Sequence, residues 1–331
     1  LMHMIEGGRR AGVGQGPDRG EGAGRLLPGL QSARLLHPAP GLSVEVVVSG
    51  DPGGDPVYFI QPTTRPELTP AIVAALGREG LRLISPMRPG TGGTTRTPVG
   101  MGPEAWAALH RSVLDGLGIG RCLVGGHCSG GIHALELAEA LGPRCTGVLL
   151  VDTGAPLRDV TRFYRMPAAP RRLFLAARYF GSAIDTPIRL VAADFLSGPE
   201  GEARGVEYFY DGSPADQAIL GRGLNRQVTR DNIDHCFRNV PQLCQDIRLW
   251  ARDHSRLFRR VARDRPLHFL HGGENLVHSA DAIRQFCART PGTGAGIVEG
   301  AGQLLIYDQP ERLAEALSRL RDAAASASAR P

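Results

Sequence analysis

One short segment constrains the fold of this chain more than any other. Residues 124–131 read Val-Gly-Gly-His-Cys-Ser-Gly-Gly and lie between a short apolar run and a segment of helical period. Gly126 and Gly130 flank Cys128, and glycine accepts backbone conformations and close approaches that a side chain would prevent. The segment therefore predicts a sharp turn from a strand into a helix, with Cys128 at its apex.

Strand-like and helix-like segments alternate on both sides of this turn. The predicted strands are 43–48, 57–60, 81–85, 121–124, 147–151, 267–270 and 296–298, and the predicted helices are 68–76, 103–117, 132–141, 280–288 and 310–320. From about 156 to 262 the chain has a helical period and no clear strand. This pattern indicates an α/β fold with a mostly parallel, doubly wound sheet of about eight strands, of which 147–151 is counted as the sixth, and a helical cap inserted after that strand.

The domain prediction follows from the same pattern. Residues 26–155 and 263–322 are expected to form the α/β core, and residues 156–262 the helical cap. Residues 1–25 are rich in glycine and arginine and residues 323–331 in small residues, so both ends are predicted to be disordered.

Composition excludes several classes of function. The formal net charge is +5 and all 38 Lys and Arg residues are arginine, but these are spread among acidic residues without a basic stripe, which argues against nucleic-acid binding. The six cysteines show neither a CxxC pair nor metal-ligand spacing, so we expect reduced thiols, no metal and no cofactor. No window has the apolar length of a membrane span. These features favour a cytoplasmic protein without a membrane partner.

Three motifs together resemble the α/β-hydrolase superfamily, over about residues 35–320. Residues 126–131 resemble its Gly-His-Ser-x-Gly-Gly nucleophile elbow, 269–277 its strand-seven loop and 299–304 its Gly-Ala-Gly-His loop. The resemblance implies that the nucleophile, acid and base positions are occupied by Cys128, Asn275 and Gln303, in the family's chain order. Each differs from the usual Ser, Asp and His, so the catalytic triad is degenerate.

The oxyanion hole implied by the same resemblance is retained. Its donors would be the backbone N–H groups of Ser129, which follows the elbow cysteine, and of Thr63, which follows the third strand. Pro62 stands one place before Thr63 and leaves that N–H group in place.

The substituted triad limits the chemistry. Gln303 cannot take a proton, so serine-hydrolase chemistry is not expected. A thiolate needs no base, and the helix N-terminus beside Cys128 favours a lowered thiol pKa. The first hypothesis is therefore acyl transfer, cyclisation or elimination without hydrolysis, on a bulky hydrophobic acyl or thioester substrate that is free or carrier-bound. The alternative is a non-catalytic ligand-binding or scaffold protein, and the third is a hydrolase with a relocated base.

A relocated acid or base has three candidates. Asp152 ends the sixth strand, where carboxyl ends of parallel strands face the site; a solvated or capping role is the ordinary alternative. His278 is near the acid loop and is expected at the surface, and His235 lies in the cap. Most aromatic residues lie in the cap, where they would line a hydrophobic pocket or form the cap's own core.

Overall fold

The structure, a computed structural model, describes residues 27, 30–63, 68–96, 101–156, 168–210, 212–222, 230–231 and 234–328. The strands are β1 (Gln31–Ala39), β2 (Leu42–Gly50), β3 (Asp55–Ile60), β4 (Leu81–Pro86), β5 (Cys122–His127), β6 (Cys145–Val151), β7 (Leu267–Gly272) and β8 (Thr293–Val298). The helices are α1 (Pro70–Arg78), α2 (Pro103–Gly116), α3 (Gly130–Leu141), α4 (Ala168–Phe180), α5 (Asp185–Phe195), α6 (Pro199–Tyr210), α7 (Pro214–Leu220), α8 (Val240–Trp250), α9 (Ser255–Asp264), α10 (Ala280–Arg289), α11 (Leu305–Asp308) and α12 (Pro310–Ser328). The predicted disordered segment 1–25 lies outside the described residues.

The strands form one sheet in the order β1-β2-β4-β3-β5-β6-β7-β8. The β1–β2 and β2–β4 pairs are antiparallel, and all later pairs are parallel. The prediction of a mostly parallel α/β sheet is confirmed. Since the carboxyl ends of parallel strands share one edge, the loops after β5, β6, β7 and β8 meet there.

Helices cover both faces of the sheet. In β5 and β6, Val124 and Leu150 point into the apolar cluster under α2 and α3, whereas Leu123 and Leu149 point into the cluster under α1 and α12. This alternation is the two-residue period of a strand buried on both sides. Full burial of each such leucine or valine stabilises the fold by roughly 1.5–3 kcal/mol.

Helices α4 to α8 lie between β6 and β7 and include a small apolar cluster of their own. Ile188 of α5 and Ile247 of α8 belong to it. Helix α9 differs, because its Phe258 lies in the cluster beneath the sheet and stacks on Phe269 of β7. The sequence assigns most of α9 to the cap, since a helical period does not reveal which surface a helix packs against.

The first strand and the last helix differ from the sequence predictions. Strand β1 was not predicted; it is an edge strand whose residues are mostly exposed, so it lacks an apolar alternation. Helix α12 continues to Ser328, and Ala324 within it is buried. The predicted disordered tail from residue 323 is therefore corrected for residues 323–328, where alanine and serine continue the helix.

Candidate functional site

Cys128 lies at the apex of a strained turn between β5 and α3. Its φ is +48°, in the left-handed region that costs a non-glycine residue on the order of 1–3 kcal/mol. The turn is held by Cys128 N–H donating to Val151 O (2.9 Å) and Gly131 N–H donating to Cys128 O (3.0 Å). A Cβ on Gly130 would lie 2.1 Å from Ile60 O, so only glycine fits there. The elbow predicted from the sequence is present.

Gln303 lies beside the thiol. Its Nε2 is 3.7 Å from Cys128 Sγ, within hydrogen-bonding range for sulfur. Gln303 thus stands at the position from which a histidine would act on the nucleophile. An amide at that position orients the thiol but cannot remove its proton.

The thiol of Cys128 is not activated. Burial raises its pKa to about 12, and the nearby Asp152 and Asp246 carboxyl groups also raise it. Hydrogen bonds from Ser129 N–H and from Gln303 favour the thiolate but are outweighed. The expectation that the helix N-terminus lowers this pKa was wrong, because desolvation of the charged form exceeds the stabilisation from the local dipoles.

A cap carboxylate fixes the loop that carries Gln303. Asp216, at the start of α7, accepts hydrogen bonds from Gln303 N–H (3.1 Å) and Leu304 N–H (2.8 Å). Ser213 Oγ donates to the same carboxylate at 2.7 Å. Asp216 is 2 % exposed, so these donors replace its lost hydration.

Asn275 is occupied within its own loop. Its Oδ1 accepts from Val277 N–H (3.0 Å) and His278 N–H (2.9 Å), and its Nδ2 donates to Asp152 Oδ1 at 3.2 Å. Among the described residues no hydrogen bond joins Asn275 to Gln303. Asn275 therefore shapes the loop after β7.

Asp152 is fully buried at the end of β6, with φ of +45°. Its Oδ1 accepts from Gly272 N–H at 3.1 Å and lies 3.5 Å from His271 Nδ1, and its Oδ2 has no hydrogen-bond partner within the described parts of the chain. Burial raises the pKa of Asp152 well above its usual value. The raised pKa favours the protonated form of Asp152, which disfavours a role as a general base.

The two candidate histidines have partners other than the thiol in the described part of the chain. His278 is 3 % exposed and stacks on Trp250 with 4.5 Å between the ring centroids, so its expected surface position was wrong. Burial lowers its pKa to about 3, with a smaller contribution from the neighbouring His271. His235 Nε2 lies 3.0 Å from Thr91 Oγ1, in the loop after β4.

Ser129 and Thr63, the predicted oxyanion residues, share a partner that the sequence did not reveal. Thr63 Oγ1 (2.7 Å) and Ser129 Oγ (3.1 Å) both donate to Asp246 Oδ2. Asp246 belongs to cap helix α8 and is 2 % exposed. It brings a negative charge beside the place where an oxyanion would form.

Asp246 is at the centre of a buried polar cluster. Its Oδ1 accepts from Arg88 Nη2 (2.5 Å) and from Gln242 Nε2 (2.9 Å). His133 Nε2 lies 3.0 Å from the same Oδ1 and 2.9 Å from Arg88 Nη2. Burial opposes ionisation of Asp246, but Arg88 and His133 outweigh it and hold its pKa well below its usual range. The available sequence signal was that Gln242 and Asp246 occupy the apolar stripe of α8 shared with Leu249.

The cap aromatics largely serve packing. Phe195 and Phe237 meet edge to face with centroids 4.8 Å apart, and Phe174 lies 6.2 Å from Trp250. Phe180 is 70 % exposed. Packing within the cap thus accounts for several of the aromatic side chains that were alternatively predicted to line a pocket.

This geometry and the fold place the chain in a known family. Residues 35–316 match the Alpha/beta hydrolase family, so the chain belongs to it. No curated protein sequence matches the chain. Within the described parts of the chain, no helix is long and apolar enough to cross a membrane, and no group of three or more His, Cys, Asp or Glu residues could hold a metal ion.

Solved structures with similar folds include several enzymes. A hydrolase from Pseudomonas aeruginosa PA01 has a TM-score of 0.64 at 17% identity, covering 87% of this chain and 98% of its own. The Cif epoxide hydrolase from Acinetobacter nosocomialis has a TM-score of 0.66 at 14% identity, covering 89% and 90%. The esterase RhEst1 from Rhodococcus sp. ECU1013 has a TM-score of 0.62 at 18% identity, covering 89% and 99%. Likeness at these identities concerns the fold.

Proposed function

We propose that this member of the α/β hydrolase family binds a small hydrophobic or acyl ligand and does not hydrolyse it. The observation that carries the proposal is Gln303, whose amide lies 3.7 Å from Cys128 Sγ where a base would have to act. Without a base, neither attack by a hydroxyl nor deacylation by water is assisted.

The raised pKa of the Cys128 thiol supports ligand binding over covalent catalysis. Acyl transfer, cyclisation or elimination through Cys128, from a free or carrier-bound acyl group, requires the thiolate. The pKa of about 12 leaves almost none of it at neutral pH. The carboxylate of Asp246 against Ser129 and Thr63 further opposes an oxyanion intermediate. Both observations favour ligand binding without covalent catalysis.

A relocated base receives little support. Asp152 is buried with a raised pKa, His278 has a lowered pKa within a stack on Trp250, and His235 meets Thr91. In the part of the chain that the structure describes, none of the three hydrogen-bonds to Cys128. A hydrolase of ordinary efficiency would need one of them to move.

The test is incubation with an acyl thioester followed by peptide mapping. Cys287 is the internal control, because it and Cys128 are the two half-buried cysteines among six, and Cys287 lies outside the site. Ligand binding predicts no adduct on Cys128 beyond that on Cys287. A stable adduct on Cys128 alone would favour acyl transfer, and rapid release of the free acid, lost in Cys128→Ala, would contradict the proposal.

A further inference from the structure

Polar side chains of four core residues contact a single carboxylate that the cap supplies. Arg88 follows β4, Thr63 follows β3, Ser129 ends the elbow and His133 lies on α3, yet all four reach Asp246 of α8, at distances of 2.5 to 3.1 Å. They come from three separate segments of the core, since Ser129 and His133 share the elbow and the first turn of α3, so their convergence does not follow from any one loop.

We propose that Arg88, His133, Thr63 and Ser129 form a carboxylate-binding site, which the side chain of Asp246 fills in this structure. A ligand carboxylate that displaces Asp246 would receive the same donors. The proposal deepens the proposed function, on which it rests, by naming a carboxylic acid as the ligand class.

The buried guanidinium of Arg88 needs an anionic partner. Arg88 is 1 % exposed, and a buried guanidinium without a counter-ion is costly. Its Nη2 pairs with Asp246, while its Nε and Nη1 have no hydrogen-bond partner within the described residues. The site thus offers more donors than the single aspartate uses. Trp106 supports the guanidinium, with Cζ 5.8 Å from the ring centroid.

The acidic neighbour of the cluster does not oppose such a ligand at neutral pH. Glu136 Oε2 lies 3.7 Å from His133 Nδ1. Burial raises the pKa of Glu136 to about 8, so most of it is uncharged at pH 7. The remaining partner, Gln242, is on α8 and would move with Asp246.

Asp246 acts as a tethered competitor. Since it is attached to the cap, its local concentration is high, and a free carboxylate must displace it together with part of α8. Removing its carboxyl group should therefore expose the site to small carboxylates.

The experiment is chemical rescue of Asp246→Ala in the full chain. The variant should melt well below wild type, and 100 mM sodium formate or acetate should raise its Tm by about 3 °C or more over equal sodium chloride. Adding Arg88→Met to the variant should abolish this rise. Asp216→Ala is the matched control: it also removes a buried cap carboxylate, but one bound by backbone N–H and Ser213 rather than by arginine.

Equal responses to formate and chloride, or equal rescue of Asp216→Ala, would overturn the proposal. If Asp246→Ala does not fold, Asp246→Asn is tested in the same way, and failure of both to refold in formate also counts against it. Esterase activity in the wild type would refute the proposed function while leaving the formate result intact, so the two failures are distinguishable.

Discussion

Cys128 combines a strained backbone with an inert thiol. Its φ of +48° is the backbone geometry that exposes a nucleophilic side chain at an elbow. The thiol pKa of about 12, however, leaves very little of the nucleophilic thiolate at neutral pH. The elbow is retained because Gly130 and its neighbours pack against the end of β3, which the sheet needs whatever residue stands at the apex.

The thiol pKa gives the first prediction. Iodoacetamide reacts with the thiolate, so the alkylation rate of Cys128 should rise about tenfold per pH unit from pH 7 to 10 without a plateau. Peptide mapping by mass spectrometry after timed quenching measures this rate. A plateau below pH 8 would show that the thiol is activated.

Asp152 gives a second prediction at the residue scale. Its pKa is raised in the folded state, so the native protein holds a proton that the unfolded chain releases, and stability falls as pH rises above about 4. Asp152→Asn removes this penalty and keeps the acceptor for Gly272 N–H. We expect its Tm relative to wild type to improve from pH 5 to pH 8. A relative loss over that range would contradict a raised pKa of Asp152.

Of the two loops that carry the acid and base positions, only the loop after β8 places its residue beside the thiol. The loop after β8 brings Gln303 to the thiol, but in the loop after β7 Asn275 binds its own backbone and Asp152. Gln303→His should therefore raise the alkylation rate of Cys128 at pH 7, about tenfold or more, by pairing the thiol with an imidazole. Adding Asn275→Asp should change that rate by less than about threefold, because the Asn275 side chain is hydrogen-bonded to Asp152 and to its own loop. A large further gain would show that the loop after β7 rearranges.

Cap helix α7 is predicted to hold the loop after β8 through Asp216. Asp216→Ala leaves two buried N–H groups without acceptors, a loss of about 2 kcal/mol or more. Asp234→Ala is the control, since its ion pair with Arg238 is exposed and is worth roughly 0.2–1 kcal/mol. Urea unfolding measures both, and equal losses would show that Asp216 does not clamp the loop.

For the molecule as a whole, the features that could be predicted from the sequence are those that a local pattern encodes. The parallel sheet and the elbow follow from alternating segments and paired glycines. Edge strand β1 lacked a pattern, and α9 carried a helical period without a sign of its packing partner.

The candidate site was only partly readable from the sequence. Position 303 could be placed beside Cys128 from motif order, but the thiol pKa depends on the burial of Cys128 in the folded protein. Asp246, far from Arg88 in sequence, meets it only when the cap folds onto the core. Contacts of this range carry no local signal.

The proposed function requires that the site does not hydrolyse esters. The most direct measurement is release of p-nitrophenol from p-nitrophenyl acetate by the wild type and by Cys128→Ala, at pH 7 to 9. Because Gln303 replaces the base and the thiol stays protonated, both proteins should give the same rate, close to that of buffer alone. Robust turnover by the wild type that Cys128→Ala abolishes would contradict the account.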